Sequence, residues 1–161
     1  MAPQGSNAMS GFRILGFCII WALAAPLPAR TSAVVDDSGT LPYNAALALR
    51  WQQASPSGAG GNLMVGTLQL RVHLNLAPYQ RHTGRIYLVL PMQQPGAMNV
   101  SWTTQGRLLP GQLASGGRTL VYAGPITSPF MEDTVQLTFT VDGRRLTGAC
   151  PVNFRFEIDE D

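Results

Sequence analysis

Apolar and polar residues alternate along most of the chain downstream of residue 33. From Thr67 to Leu76 the pattern has no fault: Leu68, Leu70, Val72, Leu74 and Leu76 fall on one side, and Thr67, Gln69, Arg71, His73 and Asn75 on the other. Side chains point to opposite faces at successive strand positions, so this spacing predicts a half-buried strand. Val135, Leu137, Phe139 and Val141 alternate with Thr134, Gln136, Thr138 and Thr140 in the same way. Asp142-Gly143 follows at once, and that dipeptide after an alternating run predicts a hairpin turn. A last strand is predicted with Val152, Phe154, Phe156 and Ile158 inward and Asn153, Arg155, Glu157 and Asp159 outward. Arg85 to Leu90 is nearly continuous in apolar residues, which predicts a strand covered on both faces.

Weaker strands are expected around Trp102 (residues 99–103) and Tyr122 (residues 119–123). Leu47, Leu49 and Trp51 also alternate, with alanines between them that tolerate a helix. Turn-forming clusters separate these runs: Pro56 to Asn62, Pro91 to Gly96, Gly116-Gly117 and Gly124-Pro125. About seven short strands at regular spacing, with little helical periodicity, predict a single all-β sandwich or barrel of antiparallel strands.

The first 33 residues read differently. Arg13 precedes an apolar run from Ile14 to Ala25, which Pro26 and Pro28 close before the small residues Thr31-Ser32-Ala33. This is the order of a cleavable export signal, and the run is shorter than the roughly 20 residues that span a bilayer. Residues 1–33 are therefore expected to be a signal peptide and 34–161 the β-sandwich domain, with no transmembrane segment after cleavage. Cleavage after Ala25 or Ala29 stands as an alternative. The expected destination is the periplasm, the cell surface or the medium.

Removing that leader changes the electrostatics. The formal charge of +2 resides in Arg13 and Arg30; the remaining arginines balance the nine acids. There is no lysine. Between Ser38 and Met131 the chain has six arginines and no acid, whereas from Glu132 onward acids dominate. Such polarity favours oriented association, the acidic end of one copy docking on the arginine-rich middle of the next. Cys150 is the one cysteine left after cleavage, so no intrachain disulfide forms. Such a residue is either buried and inert or an interchain thiol.

Catalytic chemistry finds little support. Nucleophilic catalysis needs a nucleophile, a base within reach and a group that orients the base. The two histidines, His73 and His82, sit on a polar strand face and in a turn. No Gly-x-Ser-x-Gly turn is present, Gly58-Ala59-Gly60-Gly61 leads into a strand rather than a phosphate-binding helix, and zinc needs more cysteine and histidine than remain. Glu132-Asp133 reads as a turn cap before a strand, and the acidic tail from Glu157 to Asp161 as a fraying terminus. The arginines lack the interleaved aromatics of a nucleic-acid surface. No cofactor is expected. The remaining candidate is a recognition patch: if the strands around residues 67–76 and 85–90 pair as a hairpin, Arg71, His73, Tyr79, Arg81, His82 and Arg85 gather at one end. Such a patch suits the carboxylates of an anionic glycan or the phosphates of a lipid headgroup, because arginine binds planar anions bidentately.

From Gly84 onward, Gly84-Arg85-Ile86-Tyr87-Leu88-Val89, then Trp102, then Leu120-Val121-Tyr122-Ala123-Gly124, the chain resembles immunoglobulin-like modules of bacterial surface and pilus-associated proteins. The antibody-type pair of core cysteines is absent. The resemblance implies an immunoglobulin-like β-sandwich and a non-enzymatic structural or adhesive role in a surface or periplasmic assembly, with a protein partner or self-association. A soluble binding module for an anionic ligand is the alternative, and an enzyme built on His73 or His82 the third reading.

Overall fold

Strand alternation is realised in two antiparallel sheets packed face to face. The computed structural model describes residues 32–43, 47–53, 62–92, 98–146 and 153–160. Ten strands lie among them, more than the seven expected: β1 (Ser32–Val34), β2 (Leu41–Pro42), β3 (Arg50–Trp51), β4 (Leu63–Asn75), β5 (Thr83–Val89), β6 (Met98–Thr104), β7 (Gly111–Ala114), β8 (Arg118–Pro125), β9 (Phe130–Asp142) and β10 (Arg155–Glu160). The surplus is β1, β2 and β7, two to four residues each, which are too short to carry a periodic signal, while β3 falls on the alternating segment that ends at Trp51.

Sheet I has the order β1-β10-β5-β8. Sheet II runs β2-β4-β9-β6-β7, with β3 also paired to β4. The spine of sheet II is the pairing of β4 with β9 along their full lengths, from Leu63 opposite Asp142 to Asn75 opposite Phe130. Leu70, Val72 and Leu74 of β4 and Val135, Leu137, Phe139 and Val141 of β9 are all buried, as their alternation predicts. All of them but Val141 meet Ile86, Leu88, Val121, Phe156 and Ile158 from sheet I, with Trp102 and Met98 from β6. Each such side chain contributes roughly 1.5–3 kcal/mol on leaving water.

Two expected turns are not made. Asp142-Gly143 is not a hairpin: Gly143–Arg145 form a single 3-10 turn, and β10 belongs to the opposite sheet from β9. The Asp142 carboxylate caps this turn by accepting from the Arg144 N–H at 3.1 Å. Likewise β4 and β5 do not pair. Their connection, through the 3-10 turn Ala77–Tyr79, carries the chain from sheet II to sheet I. Both strands have a core-facing row, and burying both rows in one core is achieved by stacking the strands in opposite layers.

Nor does the acidic tail fray before Glu160. It forms β10, an interior strand between β1 and β5. The β5 strand carries a register irregularity opposite β8 between Ile86 and Tyr87. Val152 and Cys150 lie outside the described residues, so the interchain-thiol reading gains no geometry. Within the described residues no helix is long and apolar enough to cross a membrane.

Candidate functional site

The six residues of the expected patch fall on three different surfaces. Arg71 and His73 project from β4 on the outer face of sheet II. Arg85 lies on β5 in sheet I, opposite Asp159 of β10 and Ala123 of β8. Arg81 and His82 occupy the connection between the sheets, where the Arg81 N–H donates to Ile126 O at 2.9 Å and Arg81 adopts a φ of 69°. Tyr79 packs against the core instead of standing beside the arginines. The hairpin that would have united these groups is replaced by a crossover, and the arginines separate with it.

Arg71 and His73 nevertheless belong to a denser constellation. Leu41 of β2 lies opposite Arg71, and Tyr43 N–H donates to Gln69 O at 2.9 Å, which brings both exposed apolar side chains to the outer face beside β4. Arg71 Nε donates to the Tyr43 hydroxyl at 3.3 Å, and the guanidinium carbon sits 5.7 Å from the Tyr43 ring centre. Donation from Arg71, then from Thr134, holds the Tyr43 phenol below the usual tyrosine range, and the same contact raises Arg71. Next along β4, His73 Nδ1 lies 2.9 Å from Glu132 Oε1, and its ring packs 5.0 Å from the Phe130 ring. A Cβ on Gly39 would stand 2.7 Å from His73 Cδ2, so glycine lets the β1–β2 connection pass directly over the imidazole. Tyr43, Arg71, Gln105, Gly106, Glu132, Asp133 and Thr134 line an open depression of about 510 Å³.

The floor of the depression is set by Asp133. This residue lies within β9, not ahead of a strand, and faces inward with only 6% exposure. Its carboxylate accepts from Gln105 N at 3.2 Å and Leu108 N at 2.8 Å, so it caps the β6–β7 turn by a tertiary contact. A Cβ on Gly106 would come within 2.9 Å of the carboxylate, which explains glycine there.

Sequence reasoning found Arg71 and His73 but missed Leu41, Tyr43, Phe130 and Glu132. No spacing rule joins residue 43 to 71 or 73 to 132; their proximity follows from strand pairing across sheet II. As chemistry the site offers exposed aromatic surface, one arginine and a histidine oriented by a carboxylate. The Thr40 hydroxyl accepts from the His73 backbone N–H at 3.1 Å. Among the described residues no group of three or more His, Cys, Asp or Glu could hold a metal ion.

The acids of β10 are engaged within the chain. Arg118 on β8 reaches Asp159 Oδ1 at 2.6 Å and Glu157 Oε2 at 3.2 Å, while its guanidinium stacks 3.5 Å above the Tyr87 ring. Arg155 pairs with Glu157 at 2.8 Å, and His82 Nδ1 lies 3.3 Å from Glu160. Donation to Asp159 is the largest influence raising Arg118 above its ordinary value. Arg118 thus ties the arginine-rich middle of the sequence to its acidic end within one chain.

Comparison with protein-family models, with curated proteins and with solved structures finds no match for this chain. Fold and site together define an all-β sandwich bearing an exposed aromatic and cationic face.

Proposed function

We propose that the chain is a non-enzymatic structural or adhesive module of a bacterial surface or periplasmic assembly, exported by its N-terminal leader. The observation that carries this reading is the edge of sheet I. Its interior strand β10 is flanked on one side by β1, three residues long, with Val34 exposed. An edge covered so briefly is a place where a strand of another copy adds through main-chain hydrogen bonds. Docking of the acidic end onto the arginines of the next copy is disfavoured, because Glu157, Asp159 and Glu160 already hold Arg118, Arg155 and His82.

Size exclusion with light scattering at low and high salt, with and without reductant, tests the reading. Oligomers that persist in salt and reductant support strand addition. Oligomers lost in reductant identify Cys150 as the link, oligomers lost in salt identify charge docking, and a monomer throughout overturns self-assembly.

A second reading, a binding module for an anionic glycan or lipid headgroup, is favoured by the grouping of Leu41, Tyr43, Arg71 and Phe130 on one face. Aromatic residues and arginine are the side chains enriched at recognition surfaces. Binding to immobilised acidic glycans or anionic vesicles that is abolished by Arg71→Ala together with Tyr43→Ala supports it; unchanged binding refutes the site.

A further inference from the structure

We propose that the export signal is removed upstream of β1, at the bond between Ala24 and Ala25, and that Ser32 and Ala33 remain as structural residues of the mature protein. The inference rests on the export reading above and fixes where processing must occur for the fold to be complete.

The argument begins with the residues that a later cut would discard. Cleavage after Ala33 removes two of the three positions of β1, those opposite Asp159 and Ile158. Ala33 packs against the hydrophobic core, and the next inward residue, Val35, is 1% exposed and donates its N–H to Phe156 O at 2.9 Å. Ser32 is bonded on both sides: its hydroxyl donates to Glu157 Oε2 at 3.3 Å and accepts from Arg118 Nη2 at 3.2 Å. One hydroxyl thus joins the first strand to the arginine that ties β8 to β10. Cutting after Ala33 would strip the edge of β10 opposite Asp159, a carboxylate that is 7% exposed. Burial of that acid depends on the cover that β1 supplies, since an uncovered sheet edge exposes both its backbone and its flanking polar groups.

The position of the bond then follows from the leader itself. Export peptidases require small residues one and three positions before the cut, directly after the apolar run. Ala22-Leu23-Ala24 meets this requirement at the end of the run that starts at Ile14. The bond after Ala29 has Leu27 three positions before it, and the bond after Ala25 has Leu23 there and Pro26 immediately beyond. A cut before Ala25 leaves residues 25–31 ahead of β1, so the strand is delivered intact with chain on both sides.

The test uses the full-length chain expressed in a secreting bacterial host, with the intact mass and N-terminal sequence of the exported protein as readout. A mature start at Ala25 is expected, with loss of processing in Ala24→Leu. A start at Val34, Pro26 or Arg30 overturns the assigned bond while preserving export. A protein that keeps its leader overturns the export reading itself. As an independent measurement, purified protein starting at Val34 should melt at least about 4 °C below protein starting at Ala25. Equal melting would show that Ser32 and Ala33 contribute nothing to the fold and would overturn the argument.

Discussion

Arg118 on β8 donates to Asp159 on β10 at 2.6 Å, across the intervening strand β5. The guanidinium makes this span by lying flat on Tyr87 of β5, so cation and ring stack while the acid sits at the far side. Position 159 is on the outer face of sheet I, yet it is nearly as buried as core residues because Arg118 and β1 cover it. An acid there is retained through its partners.

Arg118→Ala should lower stability by about 1–3 kcal/mol, since it leaves a buried carboxylate short of its shortest ion pair. Arg118→Lys should recover part of the loss but not the stacking, because an ammonium has no planar face. Urea unfolding of the three proteins checks this; an alanine variant as stable as the parent would show the contact to be incidental.

Asp133→Ala leaves the Leu108 N–H without its acceptor, whereas the Gln105 N–H keeps Thr134 O at 3.1 Å, and should cost about 1–3 kcal/mol. Gly106→Ala should destabilise as well, because its Cβ meets the same carboxylate at 2.9 Å. If the two act through one contact, their double variant will fall well short of additivity.

Acid sensitivity has a definite sign. Asp36 is held below the ordinary 3.8 by hydrogen bonds from Ser38 and then Asn75, and Asp142 by Arg144. A carboxyl depressed in the folded state contributes stability that is present above 3.8 and lost as pH falls through its folded value. Asp37 is raised by desolvation, so its contribution is full below 3.8 and is lost as pH rises through its folded value. Asp36→Asn with Asp142→Asn should therefore flatten the loss of stability in strong acid, and Asp37→Asn should remove the gain that the parent makes as pH falls towards 3.8, with no effect on the slope below it. Urea midpoints between about pH 2 and 6 measure both slopes; unchanged slopes would contradict these assignments.

Phe139 is fully buried at the middle of β9, between the two sheets. Phe139→Ala should cost about 3–5 kcal/mol, and Phe139→Leu much less, because the cavity left by a phenyl ring is only partly refilled by its neighbours. Calorimetry or urea unfolding separates the two; equal small losses would place the packing centre elsewhere.

The long strands were legible because each carries enough alternating positions to specify a face. Leu70, Val72 and Leu74 point inward in the fold as their spacing requires, and so do Phe156 and Ile158. Asp133 shows where that reasoning fails. A carboxylate beside Glu132 reads as the polar start of a strand, whereas β9 begins at Phe130 and Asp133 occupies an inward position. The loop that supplies its donors, Gln105 to Leu108, is a local segment with no periodic tie to residue 133.

By itself the sequence determined the all-β class, the faces of β4, β9 and β10, and the turns that hold His82 and Gly116-Gly117, because these follow from local spacing and backbone preference. Only the tertiary structure decided which sheet each strand joins, and with it the separation of Arg85 from Arg71 and the meeting of Arg71 with Tyr43 and of His73 with Glu132. The physical reason is that alternation fixes which way a side chain points relative to its own strand. Its neighbours depend on strand order and register, which are set by the joint burial of both sheets in one core.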